Sequence, residues 1–482
     1  MPRPCPSRRD FLRTSAVGAL ALTAPELARA QAATRPNILV VLSDDHSAPH
    51  VGCYGTPDIK TPNLDRLAAE GMRFDRAYVA CPQCVPSRAA MMSGRSPVGI
   101  AMTRFSAPLP ADVLTYPEVL RQAGYYTGVA GRTYHLDGAY DVPESKAVFD
   151  RHNLRTFPQR LDYVKSGGRP AMLPQFNEFL DQVPAGRPWF LQLCSPDPHR
   201  ELDRNAIATP HDPAKLKLPA HYPDTELVRD DFARYYDEIS RFDGDVGRIL
   251  EVLAERGLTN STLVLMMGDN GASQLRGKGT LYEFGVHVPL IIRWPGVVKP
   301  GSASAELVSG EDLAPTLLAA AGLAAPKTMT GRSFAALLRG QPYTGRRYVF
   351  AERGAHGSGL PTNSAAFDLG RCVISARHKL IYNATWQLPY SPVDFGGEPF
   401  WKDLQQRHAA GKLSPEHARV YFSPTRPMFE LFDLERDPRE FDNLSGRPEA
   451  AAIEQELKAA LQEWMILERD YLPLPIPRGP RR

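Results

Sequence analysis

One stretch, Cys81-Pro82-Gln83-Cys84-Val85-Pro86-Ser87-Arg88-Ala89-Ala90-Met91-Met92-Ser93-Gly94-Arg95, sets a thiol ahead of a proline-fixed turn, a hydroxyl and a guanidinium. Pro86 presets φ, and the Ala-Ala-Met-Met run that follows is a good helix former. A helix starting here aims free backbone N–H groups and Arg88 at whatever lies beside residue 84. Position 84 is thereby suited to chemistry on an anion. The Cys81-x-x-Cys84 spacing also matches a redox or zinc pair. A zinc site would want a second Cys or His pair at ligand spacing, and none stands out.

A second set of residues offers hard oxygen ligands. Asp44 and Asp45 end one apolar run, and Asp269 and Asn270 end another. Should the two runs lie side by side, three carboxylates and an amide meet at one point, a donor set for Ca²⁺ or Mg²⁺. Without a cation such a cluster repels itself. Taken singly, Asp44-Asp45 reads as a helix cap and Asp269-Asn270-Gly271 as a turn.

The elements that must position these groups are legible in the hydrophobic pattern. Asn37-Ile-Leu-Val-Val-Leu42, Tyr126-Thr-Gly-Val-Ala130, Trp189-Phe-Leu-Gln-Leu-Cys194 and Thr262-Leu-Val-Leu-Met-Met267 are largely unalternated apolar runs. Each ends in a polar cluster. Such runs read as strands buried on both faces, and open α/β sheets carry their sites at the C-terminal ends of strands. Helical patterns lie between them: Leu64 to Met72, Pro117 to Ala123 and, most clearly, Arg234 to Arg256. Alternation of strand and helix predicts a mostly parallel sheet covered on both faces. Val288 to Arg293 reads as a further strand and Asp312 to Ala319 as a helix. Beyond Tyr343 the pattern changes. Short strands are predicted at 348–351, 372–375, 379–382 and 429–433, with turn-rich spacers and a helix from about Pro448 to Glu468. They predict a smaller antiparallel α+β domain.

Cys84-x-Pro86-Ser87-Arg88 followed by Ser93-Gly94-Arg95 resembles the signature of the type I sulfatases. Thr61-Pro-Asn-Leu-Asp-Arg-Leu67 and Glu430-Leu-Phe-Asp-Leu-Glu-Arg-Asp-Pro438 with Asn443-Leu444 also resemble recurring segments of that family. The likeness extends over nearly the whole chain after the leader and implies an alkaline-phosphatase-like α/β fold. It implies that Cys84 is oxidised enzymatically to Cα-formylglycine, whose hydrated aldehyde is the nucleophile. A second geminal hydroxyl then expels sulfate, which a plain Cys or Ser could not do. It assigns Asp44, Asp45, Asp269 and Asn270, with residue 84, to one Ca²⁺. Arg88 would hold the diol. Arg132 and His135 fall where the family carries a Lys and a His. Arg132 departs from the usual Lys, and an Arg does not readily give up a proton. His135 could accept the diol proton. His199 follows the third strand, where the family's leaving-group His lies, and Lys278 would clamp sulfate oxygens. Ser195-Pro-Asp197-Pro-His199-Arg200 and Lys379 to Tyr390 resemble N-sulfoglucosamine sulfohydrolases, which cleave the N-sulfate of heparan chains. Those enzymes more often carry Arg where Lys278 stands. Asp197 and Arg200 could contact a sugar or pair with each other. The substrate implied is a sugar sulfate ester or sulfamate, ahead of an aryl or choline sulfate.

Length fits a large α/β domain plus a smaller one, and the apolar content is enough for a sizeable core. The chain has 482 residues, 43% of them apolar, and a net charge of +3. All of that charge sits in the first thirty residues, so no basic stripe for nucleic acid remains. Ser7-Arg8-Arg9-Asp10-Phe11-Leu12 and the mild apolar run after it read as a twin-arginine signal over 1–33, with the Tat machinery as partner and a periplasmic or secreted destination. The run is too short for a stable membrane anchor. The expected organisation continues with a catalytic domain over 34–343, a smaller domain over 344–470 and a Pro/Arg-rich tail over 471–482. Maturation at Cys84 requires a formylglycine-generating enzyme. Cys53, Cys81, Cys194 and Cys372 are too scattered for a disulfide framework and read as buried thiols or one bridge. Two alternatives keep the fold: a phosphonate or phosphate monoester hydrolase, and an unmodified, non-catalytic glycan-binding protein.

Overall fold

The structure is a computed structural model that describes residues 35–105, 107–136, 143–356 and 362–475. The leader over 1–33 and most of the tail over 471–482 lie outside the described residues. From Pro36 onward the chain forms one compact unit.

Its centre is an eight-stranded sheet of β1 (Asn37–Ser43), β2 (Met72–Phe74), β3 (Tyr126–Gly131), β4 (Tyr163–Ser166), β5 (Trp189–Cys194), β6 (Thr262–Gly268), β7 (Leu290–Arg293) and β8 (Ser302–Ser304). The spatial order is β4-β3-β5-β1-β6-β7-β2-β8. The first five in that order run parallel, and β7 is antiparallel to both β6 and β2. The four apolar runs of the sequence are thus four adjacent central strands. Side chains alternate across the sheet, and both faces are apolar because both are covered. Leu39 and Val41 of β1 face α1 (Pro62–Ala69), α3 (Met172–Gln182) and α4 (Glu226–Glu255). Ile38, Val40 and Leu42 face α2 (Cys84–Ser93) and α5 (Leu313–Ala320).

The C-terminal sheet is antiparallel in the order β9 (Val349–Ala355), β10 (Phe367–Ile374), β11 (His378–Asn383) and β12 (Phe429–Asp433). The expected α/β fold with a small antiparallel C-terminal sheet is what the chain adopts. Local readings differ in three places. Met72 opens β2 rather than closing a helix. The helix read from Arg234 begins at Glu226, with Thr225 accepting from the Val228 N–H as its cap. The spacer after Tyr390 contains two helices, α6 (Pro399–Ala409) and α7 (Pro415–Phe422). Their aromatics Phe400, Trp401 and Tyr421 pack on Phe232, Tyr235 and Tyr236 of α4. Five described cysteines, Cys53, Cys81, Cys84, Cys194 and Cys372, are free thiols.

The small sheet also grips the loop that carries Lys278. Lys379 of β11, fully buried, lies 2.7 Å from Glu283 and 2.9 Å from Glu440. The Tyr282 hydroxyl donates to Glu430 of β12. Removing one partner of such a buried cluster leaves uncompensated charge behind. Lys379→Ala is expected to cost about 3–5 kcal/mol of stability. Urea denaturation would measure it, and a loss below about 1 kcal/mol would mean the cluster is not what ties the sheet to the loop.

Candidate active site

β1 and β6 pair in parallel with Ser43 opposite Gly268, so the residues after them leave the sheet side by side. The Asp269 N–H donates to the Ser43 carbonyl at 3.0 Å, and the His46 N–H to the Asn270 carbonyl at 2.8 Å. Asp45 takes a left-handed φ of 65°, which turns the chain back at the strand end. Its N–H donates to Asp269 Oδ1 at 3.1 Å, and its carbonyl accepts from the Tyr235 hydroxyl of α4. Asp44, Asp45, Asp269 and Asn270 are all fully buried.

Cys84 opens α2 and points its sulfur into this cluster, 3.3 Å from Asp44 Oδ1 and 3.9 Å from Asp45 Oδ1. Burial, then the nearby carboxylates, push its thiol well above the ordinary range. As a plain thiol it is a poor nucleophile here. One helical turn on, Arg88 spans the cluster: Nε donates to Asp269 Oδ2 at 2.8 Å and Nη2 to Asp44 Oδ2 at 3.0 Å. Its Nη1 donates to the Arg132 carbonyl at 3.0 Å. Arg132 Nε also lies 3.2 Å from Asp44 Oδ2, and His135 Nδ1 lies 3.4 Å from it. Burial works to raise Asp44, but Arg132 and Arg88 outweigh it and hold the carboxyl well below the usual range.

Asp45 and Asp269 are less well compensated. Burial pushes each up to about 7; Lys278 works against this at Asp45, and at Asp269 Asp44 adds to it while Arg88 opposes it. The Oδ1 atom of Asn270 is buried without a hydrogen-bond partner, while its Nδ2 donates to Asp45 Oδ1 at 2.8 Å. Carboxylates short of positive charge and an orphaned amide oxygen fit a divalent cation held by Asp44, Asp45, Asp269 and Asn270. Ligand atoms of Asp44, Asp45, Cys84 and His199 all lie within 4.8 Å of one another, as do those of Asp44, Cys84, His135 and Asp269.

Lys278 Nζ lies 3.0 Å from Asp45 Oδ1. His199 Nε2 lies 3.9 Å from Asp45 Oδ2, and its Nδ1 faces the Arg200 carbonyl. A carbonyl only accepts, so Nδ1 carries a proton and a second proton on Nε2 makes the ring cationic. Burial and then Lys278 bring its pKa down to about 3, while Asp44 and Asp394 work the other way.

Six predicted residues, Cys84, Arg88, Arg132, His135, His199 and Lys278, therefore surround the four oxygen ligands. Asp197 and Arg200 behave differently. They do not pair with each other: Asp197 is forked onto Arg241 at 2.8 and 2.9 Å, and Arg200 onto Asp231 and over the Phe400 ring. Both still line an open cleft that Arg132, His199, Arg169 and Arg241 share. Two further residues went unread in the sequence. Asp394 lies 2.7 Å from Lys278 Nζ and 3.8 Å from His199 Nε2. His356 lies 3.5 Å from Asp394. Each is a lone residue in an irregular segment without a motif, and only the tertiary fold brings it here.

N-sulphoglucosamine sulphohydrolase of Homo sapiens is 29% identical over 468 residues, 89% of each chain. An ulvan-active sulfatase of Formosa agariphila is 28% identical over 480 residues, 92% of this chain and 76% of that one. The solved phosphonate monoester hydrolase of Silicibacter pomeroyi superposes with a TM-score of 0.69 at 21% identity, covering 91% of this chain and 96% of that one, a likeness of fold. The family description Sulfatase matches residues 36–323. With the paired aspartates, Cys84 and Arg88 all inside the matched span, this chain belongs to the sulfatase family and is a sulfuric ester hydrolase.

Proposed function

We propose that the protein is an exported, calcium-dependent hydrolase of sugar sulfate esters or sulfamates that works through a formylglycine formed at Cys84. The observation that carries this reading is the convergence of Asp44, Asp45, Asp269 and Asn270 on residue 84, with Arg88, Lys278 and His199 around them. Relatives named for N-sulphoglucosamine and ulvan support a sugar as the bearer of the sulfate. Export rests on the twin-arginine pattern of the leader. No helix among the described residues is long and apolar enough to cross a membrane.

A bound divalent cation supplies Lewis-acid charge that draws density from a sulfuryl oxygen and favours an ionised diol at residue 84. The protein's own groups do the rest. Arg88 fixes two of the carboxylate ligands and stays charged at all working pH. Lys278, whose ammonium is sustained by Asp45 against burial, offers donors to the sulfuryl oxygens. Arg132 adds charge on the cleft side and no proton transfer. His135 is positioned beside Asp44 to take a proton from residue 84. His199 gives its Nε2 proton to the departing oxygen or nitrogen. The carboxylates beside Nε2 and the entering sulfuryl anion favour the cationic ring this requires.

Four outcomes test the reading. The peptide carrying residue 84, taken from protein exported by its own host, should be trapped by a hydrazide; intact cysteine alone, with negligible turnover, would leave the non-catalytic alternative. His199→Ala should lower kcat/KM about 10²- to 10⁴-fold on a sugar sulfate and far less on a nitrophenyl sulfate, whose leaving group needs no proton. Equal losses on both would remove the acid role. Rates on an aryl sulfate, glucosamine N-sulfate and a phosphonate ester should favour the sulfated substrates. A phosphonate preference by orders of magnitude would move the protein to the other reaction.

The fourth outcome concerns the cation. Asp45 and Asp269 have folded-state pKa values near 7, above their unfolded values. Between about pH 4 and 7 the cation-free fold therefore binds protons that the unfolded chain does not, and its stability falls as pH rises. A cation replaces those protons. The gap in Tm between calcium-loaded and EDTA-treated protein should widen from pH 5 to 7.5. Differencing the two removes the histidines remote from the site. A gap that stays constant would detach these carboxylates from the cation.

A further inference from the structure

Among the described residues around the nucleophile, Asp394 is a carboxylate that faces outward. Its side chain is 28% exposed, against 0% for Asp44 and Asp45 and 11% for His199. It is firmly placed. Val393 and Phe395 on either side of it are buried, Ser273 donates to the Val393 carbonyl, and Phe395 stacks on Phe400 of α6. Its left-handed φ of 67° turns the side chain out of that packing toward the site.

Its surroundings fix both oxygens. Oδ2 receives Lys278 at 2.7 Å and lies 3.8 Å from His199 Nε2. Oδ1 lies 3.5 Å from His356 Nε2. The tautomer of His356 follows from its other side. Gln83 Nε2 donates to His356 Nδ1 at 2.8 Å, so Nδ1 accepts and Nε2 carries the hydrogen facing Asp394. Gln83 directly precedes Cys84, and a chain of contacts therefore runs from the residue before the nucleophile to the mouth carboxylate. Burial alone would raise the Asp394 carboxyl, but Lys278 and His356 outweigh it and keep it ionised.

We infer that Asp394 is a substrate-recognition residue that accepts a hydrogen bond from a free hydroxyl on the carbon next to the sulfated position. The inference rests on the sulfatase reading above. The leaving atom must come within about 3 Å of His199 Nε2 to take its proton. A neighbouring gauche hydroxyl on the ring lies about 3 Å from that atom. A charged hydrogen bond to a carboxylate oxygen spans about 2.7 Å. These three steps close readily over the 3.8 Å between His199 Nε2 and Asp394 Oδ2. The same anion repels a second sulfate at the neighbouring position. It also offers nothing to a primary 6-sulfate, whose neighbouring carbon bears the ring oxygen. The substrate class is thereby a secondary sulfate ester or sulfamate with a free vicinal hydroxyl.

The test uses the matured full-length enzyme and two probe series: methyl glucosaminide N-sulfate and methyl galactoside 4-sulfate, each with the 3-hydroxyl free, deleted or sulfated. Wild type should lose about 10- to 100-fold in kcat/KM on the better series when the hydroxyl is deleted, and more when it is sulfated. In Asp394→Ala the free-to-deoxy ratio should shrink to about 3-fold or less. Asp394→Asn should fall between, because an amide oxygen still accepts. The ratio is read within one preparation, so partial misfolding or disturbance of Lys278 lowers both rates and leaves it unmoved. An unchanged ratio in Asp394→Ala, or equal wild-type rates on free and deoxy sugars, overturns this inference alone. No turnover of any probe overturns it together with the proposed sugar sulfate or sulfamate activity.

Discussion

Three fully buried carboxylates surround one residue, and most of the surrounding structure answers to that constraint. An isolated buried carboxylate is costly by several kcal/mol, and three within touching distance are worse because they also repel. The fold spreads the compensation over elements distant in sequence. Arg88 comes from α2, Arg132 from the end of β3 and Lys278 from the loop after β6. None of these can move without exposing an uncompensated charge. Two central parallel strands are what allow Asp44-Asp45 and Asp269-Asn270 to emerge together. Two covered apolar faces are what keep those strands rigid.

The small sheet shares in this arrangement. It supplies Lys379 and Glu430, and the segments that follow its strands supply Glu440, His356 and Asp394; Lys379, Glu430 and Glu440 hold the Tyr282-Glu283 end of the Lys278 loop. The nucleophile and its oxygen ligands belong to the large sheet. The groups that would meet the rest of the substrate come from both parts. Such a division lets recognition vary through irregular segments while the charged centre stays fixed.

How far the sequence reaches follows from the same physics. Asn37–Ser43 and Thr262–Gly268 were legible because a parallel strand covered on both faces must be apolar along its length, and because their polar ends stand out against that run. Once the strands pair, convergence of the four oxygen ligands is unavoidable. Helix α6 was not legible: Phe400, Trp401 and Leu404 are three apolar residues among charges, and their partners on α4 lie over 150 residues away. Asp197 and Arg200 show the opposite failure. They are close in sequence and opposite in charge, yet each finds a better fork elsewhere, on Arg241 and Asp231. Local charge spacing does not reveal which of several competing partners tertiary packing brings near. Asp394 is the same difficulty in its purest form, a residue whose meaning lies wholly in what the fold sets beside it.

The charge count at the site bears on what it can bind. Asp44, Asp45, Asp269 and Asp394 outnumber Arg88, Arg132 and Lys278 by one. The histidines His135, His199 and His356 are held neutral by burial when no substrate is present. Full ionisation of the four carboxylates, which a bound cation favours over the protons that Asp45 and Asp269 otherwise hold, leaves the pocket's own groups one negative charge. A divalent cation reverses the sign to a single positive charge. A sulfate ester or sulfamate brings one negative charge and neutralises it, whereas a phosphate monoester near pH 7 carries close to two and leaves an excess. In a site this buried, one unpaired charge is worth more than a typical single hydrogen bond. With His199 neutral the balance favours a singly charged substrate; the cationic ring that proton donation requires adds one positive charge and offsets that preference. A phosphonate monoester, singly charged like the sulfate, would have to be distinguished by the groups around the leaving atom.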